Sequence, residues 1–302
     1  MKYRLLLSFI FLLAIKNVDA QSTPSVVVSI KPIHSIVTTL MTGIAEPKLL
    51  LKSSNSAHTF HLKPSQVRMI SNADLVIIIS EDFESGLRKA IKNIENDSLF
   101  QITSLGTLNI HKSRSEILYS KEHEEHEEHE ESIYDLHLWL DINNTKLIAK
   151  HISELLIKID PINEAKYNNN FLELMLDLEE LKIDLKKEIA PFLNRQFAVF
   201  SDTTQYFEKS MNFLRPIIIT PYHGARLSII RTLMAKEAMS DLRVSCLLYG
   251  QEAKPNQISV LLEGLSLKTF EIDIMGTKYP AGPDQYFNLM KRISSQLASC
   301  LK

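Results

Sequence analysis

The sequence predicts an α/β protein of two lobes, with mostly parallel sheets flanked by helices and one long helix joining the lobes. Three observations carry this. Short apolar runs rich in β-branched residues recur at 26–30, 75–79, 197–200, 217–220 and 244–248. Strands buried on both faces of a parallel sheet read this way. Between the runs lie segments of helical period, at 64–73, 83–94, 227–239 and 283–301, and two of them open on Pro64 and Pro283. Finally, the stretch 163–191 contains no Gly and no internal Pro, and Phe171, Leu174, Leu178, Leu181 and Leu185 recur every three to four residues.

Each element then takes its place. The first lobe covers 22–159, with a shorter strand expected at 48–51 and a helix over 144–159 that ends before Asp160-Pro161. The joining helix covers 160–190. Some 28 residues of helix span about 42 Å, which is the length of a lobe and too long for a crossover. The second lobe covers 191–302. One segment has low complexity: residues 121–131 read KEHEEHEEHEE, seven Glu and three His without an apolar residue. Such a segment cannot pack, so a solvated, mobile loop is expected over 111–136.

The N-terminus predicts export. Lys2 and Arg4 precede an apolar run from Leu5 to Ile15, and Val18-Asp19-Ala20 supplies a small-residue cleavage pattern. A run of about 11 residues is too short to span about 30 Å of hydrocarbon. A signal peptide over 1–20, a periplasmic mature chain without a membrane span, and a monomer are expected. Cys246 and Cys300 are the only cysteines; in an oxidising compartment they fit one bridge, and two buried free thiols are the alternative.

Several function classes are excluded by what the residues lack. The net charge is −2, which argues against a nucleic-acid partner. The chain has no His-Glu-x-x-His, no Gly-x-Ser-x-Gly and no phosphate-cradling glycine loop, so no enzyme is expected. The chemistry lies instead in ten histidines. His123, His126 and His129 lie in the acidic run, where imidazoles among carboxylates suit auxiliary capture of Zn²⁺. His34, His58, His61 and His137 lie near predicted strand ends, where ligands of open α/β sheets bind. His111, His151 and His223 have no evident company.

Several segments, in order, resemble one family: the metal-binding receptors that feed ABC importers, most of all the high-affinity zinc uptake type. They are Ser29-Ile30-Lys31-Pro32-Ile33-His34, His58 six residues before Pro64-Ser65, Asn72-Ala73-Asp74-Leu75-Val76, the His/Glu run, His137-Leu138-Trp139-Leu140, Tyr206-Phe207-Glu208 and Gln296-Leu297-Ala298-Ser299-Cys300-Leu301. The resemblance implies a metal site in the cleft between the lobes, Zn²⁺ as cargo, and an inner-membrane ABC permease as partner. It implies that His58 and His137 are metal ligands and that Cys246 and Cys300 form the family's disulfide.

The sequence departs from the family where a third histidine is expected, because Ser201 stands there. A neutral hydroxyl is a poor zinc donor. Manganese-type relatives place Glu at that position, and Ser is neither; Mn²⁺ or iron, which tolerate more oxygen ligands, is the alternative cargo, and Ser201 makes a degenerate paralogue without a tight site a further alternative. Asp273, in Asp273-Ile274-Met275-Gly276, matches a family carboxylate and is the first candidate to complete the shell, followed by His61 and Asp202.

Overall fold

The structure, a computed structural model, describes residues 23–51, 60–92, 94–114, 134–220 and 227–302. Residues 1–20, His58, the His/Glu run and His223 lie outside them.

The first lobe opens with β1 (Val26–Val28) and α1 (Lys31–Leu40). Three valines with no exposed face make β1 a central strand, and Pro32 fits the first turn of α1, where its missing N–H costs nothing. There follow β2 (Lys48–Leu49), α2 (Pro64–Ser71), β3 (Leu75–Ile78), α3 (Arg88–Ile91) and β4 (Leu99–Gln101). The strands form a parallel sheet in the order β2-β1-β3-β4.

Two expectations need correction here. The helix read over 83–94 shrinks to a 3₁₀ turn at Ser85–Leu87 and the single turn of α3. Gly86 lies in that turn: glycine is a poor helix former, and a Cβ on it would meet the Phe60 carbonyl oxygen at 2.2 Å, so only glycine fits there. The loop expected over 111–136 is not free at its ends. β5 (His111–Lys112) and β6 (Tyr134–Asp135) pair antiparallel there, His111 opposite Asp135.

α4 (Ile142–Ile159) starts earlier than predicted because Asp141 caps it, its carboxylate accepting from the Asn143 N–H at 2.8 Å. The joining helix is α5 (Glu164–Ile189), entered through a 3₁₀ turn at Pro161–Asn163 and about 39 Å long. It buries Tyr167, Leu174, Leu178, Leu181, Leu185 and Ile189.

The second lobe contains β7 (Ala198–Ser201), α6 (Gln205–Met211), β8 (Ile217–Thr220), α7 (Ile229–Asp241), β9 (Cys246–Tyr249), α8 (Pro255–Leu262), β10 (Lys268–Glu271) and α9 (Gln285–Leu301). Its sheet is again parallel, in the order β10-β9-β7-β8. Cys246, at the head of β9, is bridged to Cys300 in the last turn of α9.

The lobes share one main core, in which α9 of the second lobe packs against α1 and α5. Polar contacts reinforce the junction. Lys31 donates to the carbonyls of Thr277 and Tyr279, Ser35 to that of Pro283, and the Tyr286 hydroxyl to that of Trp139.

A buried carboxyl sits at the strand ends of the first lobe. Glu84 accepts from Ser29 Oγ, the Ile79 N–H and the Ser80 N–H at 2.5, 3.1 and 3.0 Å. Burial pushes its pKa up from 4.5 to about 7, against the pull of these three bonds. A raised folded-state pKa stabilises the protonated fold, so this contribution is complete below pH 4.5 and lost as pH rises through 7. Against a Glu84→Gln variant, the wild type is therefore expected to lose about 2–3 kcal/mol of relative stability between pH 5 and 8. Urea unfolding across that range measures it; a flat difference would contradict the assignment.

Candidate metal centre

His137 stands two residues beyond β6, just before the 3₁₀ turn Leu138–Leu140 that leads into α4. In an extended segment residues i and i+2 share a face, which brings Asp135 to the His137 ring. Asp135 Oδ1 accepts from His137 Nδ1 at 2.7 Å and from the His137 N–H at 3.0 Å. A carboxylate only accepts, so Nδ1 carries a proton, and in the neutral ring the lone pair is then on Nε2. Carboxylates orient metal-binding imidazoles in this way. Burial would raise the Asp135 pKa, but the neighbouring imidazole and its donors outweigh it and hold the carboxyl below its ordinary value.

Aromatic rings fix the imidazole on its other sides. Phe83 meets it edge-on at 5.8 Å between centroids, Trp139 lies at 5.4 Å, and Phe83 and Trp139 are 5.6 Å apart. Trp139 is wholly buried, and its Nε1–H donates to the Ile274 carbonyl at 2.9 Å. That bond brings the Asp273 loop of the second lobe beside the His137 segment.

The other named residues are placed as follows. Asp273 closes its own turn: Oδ1 accepts from the Met275 N–H at 3.0 Å, and Oδ2 from the Thr277 N–H and hydroxyl at 2.6 and 2.8 Å. The turn requires Gly276, whose φ is +62° and where a Cβ would meet the Gln285 side chain at 2.3 Å. Asp202 is buried and held by Arg114, with Nε–Oδ1 at 3.0 Å and a second bond from the Arg114 N–H. Ser201, at the end of β7, lies 3.2 Å from the Thr220 hydroxyl. His61 is exposed just before α2. His34 in α1 is 3.0 Å from the Pro47 carbonyl through Nε2. His58, His123, His126 and His129 lie outside the described residues, and among the described residues no three His, Cys, Asp or Glu side chains gather to hold a metal.

Sequence reading missed Asp135, Gln205 and Arg114. Asp135 carried a signal, its spacing of two from His137 in a short extended run. Gln205 and Arg114 carried none, because their partners are 70 and 88 residues away.

Two parallel-sheet lobes fused along a long helix, with a carboxylate-oriented imidazole where they meet, define the class of a two-lobed metal receptor. The chain belongs to the ZnuA family: the family model for the periplasmic zinc-uptake complex component A matches residues 26–300. It is 29% identical over 311 residues to the high-affinity zinc uptake system protein ZnuA of Brucella abortus, covering 91% of each chain. To the protein of that name from Yersinia pestis it is 25% identical over 298 residues, covering 93% of this chain and 92% of that one.

Solved structures share the fold at lower identity. A crystal structure of ZnuA superposes with a TM-score of 0.76 at 19% identity, over 93% of this chain and 100% of that one. The periplasmic zinc binding protein TroA of Treponema pallidum gives 0.75 at 14%, over 93% and 99%.

Proposed function

We propose that this protein is the periplasmic receptor of an ABC importer, binding Zn²⁺ between its lobes and delivering it to the inner-membrane permease. The Asp135–His137 pair carries the reading: an imidazole with its lone pair on Nε2, held by a buried carboxylate and two aromatic rings, is built to meet a cation. Family membership and the zinc uptake relatives support it. His58 supplies the second imidazole and Asp273 the first-choice carboxylate, with His61 and then Asp202 behind it. Asp273 would give up part of its turn to coordinate, and Asp202 would have to leave Arg114. Ser201 contributes no strong donor. His123, His126 and His129 serve as an auxiliary site. The shared core and the cross-lobe bonds of Lys31, Ser35 and Tyr286 favour release through local rearrangement of the ligands over a wide opening of the lobes. No bond is made or broken, so the protein acts as a carrier and not as an enzyme.

Titration of the chelator-treated protein with Zn²⁺ and with Mn²⁺ tests this. One submicromolar Zn²⁺ equivalent is expected, surviving deletion of residues 121–131, with Mn²⁺ bound more weakly in keeping with the order of divalent affinities. Because imidazoles bind metal only when neutral, zinc affinity is expected to fall below roughly pH 6. Oxygen-rich candidates such as Asp273 and Asp202 leave one second reading, a receptor for Mn²⁺ or iron, which tolerate more oxygen ligands. Tighter binding of Mn²⁺ would establish it, and absence of any tight equivalent would mark a degenerate paralogue.

A further inference from the structure

The β5–β6 ribbon that carries Asp135 is only two residue pairs long, too short to hold its shape unaided. The second lobe holds it. The Tyr206 hydroxyl accepts from the His111 N–H at 3.1 Å and donates to the Asp135 carbonyl at 2.7 Å. Gln205 Nε2 donates to the Lys112 carbonyl at 3.0 Å and reaches Asp135 Oδ2 at 3.3 Å. The His111 ring lies over that of Tyr206, 4.8 Å between centroids.

Two residues past β5, Arg114 enters the second lobe. Its guanidinium forks onto Asp202, and Nη1 bonds Glu208 Oε2 at 2.7 Å. The three side chains are 10%, 1% and 2% exposed. Burial works against the charge on Arg114, but Glu208 and Asp202 outweigh it and hold the guanidinium protonated. Glu208 is fixed in turn by the Thr204 hydroxyl at 2.6 Å. A buried ionic triad is poor value for stability compared with apolar packing of the same volume. What it does supply is geometry, since a forked guanidinium fixes both direction and distance.

We propose that Arg114 is a positioning residue for the metal site: through Asp202 and Glu208 it latches the β5–β6 ribbon, and with it the Asp135–His137 pair, onto the second lobe. The latch rests on the reading of His137 as a zinc ligand. It also gives Asp202 a structural role that competes with metal coordination.

The test uses the full mature chain with Zn²⁺ alone, measured by competition with a chromophoric chelator, and Co²⁺ as an absorption reporter of coordination geometry. Arg114→Gln is expected to weaken Zn²⁺ about tenfold, the low end of the range for groups supporting a ligand, and to alter the Co²⁺ spectrum. Arg114→Lys, which keeps the charge and loses the fork, is expected to fall between. Because Arg114 acts through Asp135, adding Arg114→Gln to Asp135→Asn should cost nothing further, whereas a merely structural role would make the losses add.

If Arg114→Gln does not fold, Arg114→Lys takes its place in the cycle. Wild-type affinity with an unchanged Co²⁺ spectrum in the folded Arg114 variants, or additive losses, overturns the latch. His137→Ala separates the two readings: if it keeps tight zinc, the site assignment fails and the latch with it. If it loses zinc while the Arg114 variants bind normally, only the latch fails.

Discussion

Alanine in place of His137 is expected to weaken zinc binding by at least 100-fold, beyond the roughly 10–100-fold that follows loss of a residue merely supporting a ligand. The substitution removes a donor atom and also strips a buried carboxylate of its partner. Asp135 Oδ1 would keep the backbone N–H of residue 137, and Oδ2 would keep Gln205, but the ring N–H that donates to it at 2.7 Å would be gone. Taking a hydrogen-bond donor away from a buried carboxylate costs about 1–3 kcal/mol. The two effects separate in the double variant. His137→Ala with Asp135→Asn should recover much of the lost stability, because a neutral amide tolerates burial better, and should recover none of the zinc affinity. Calorimetric titration paired with thermal unfolding measures both; zinc affinity within tenfold of wild type in His137→Ala would contradict the assignment.

Replacing Cys246 and Cys300 together by alanine is expected to cost about 4 kcal/mol of unfolding free energy, the chain-entropy value for a loop with a sequence separation of 54. The bridge joins the head of β9 to the last turn of α9, and α9 is the helix of the second lobe that packs on α1 and α5. It therefore secures the sheet of one lobe to the core common to both. Both sulfurs are buried, so alanine avoids adding an unpaired hydroxyl, as serine would. Zinc affinity at low temperature should hardly change, since none of the proposed ligands lies on β9 or α9. Urea unfolding of the variant and of the oxidised wild type measures the difference; a loss under about 1 kcal/mol would contradict this role.

The parts of the fold legible in the sequence were those whose neighbours are the same for every residue of the element. β1, β3, β7 and β8 are buried on both faces, so each shows as an unbroken apolar run. α5 is long enough for Leu174, Leu178, Leu181 and Leu185 to display their period. β10 did not show, because Lys268-Thr269-Phe270-Glu271 lies at a sheet edge with its side chains partly or fully exposed. The run predicted at 244–248 became β9 at Cys246–Tyr249, since Arg243 takes φ +50° in the turn before it and Val244 still bonds back to Met239. The ribbon escaped notice because its two strands, four residues in all, bracket the most strongly charged segment of the chain.

The candidate site divides along the same line. His137 and its partner Asp135 are local, and their spacing can be read. The grip of Arg114 on Asp202, of Gln205 on Asp135 and of Trp139 on the Ile274 carbonyl each joins residues more than 65 positions apart, and only the folded chain reveals them. Asp273 matched by sequence, but sequence could not show that its carboxylate already closes a turn.

The most direct measurement is zinc-edge anomalous diffraction from crystals of the zinc-loaded protein. The account predicts one strong peak shared by His137 Nε2 and a nitrogen of His58, each about 2.0–2.1 Å away, with Asp135 still bonded to Nδ1. A peak confined to His123, His126 and His129, or one that touches only one of the two imidazoles, would contradict it.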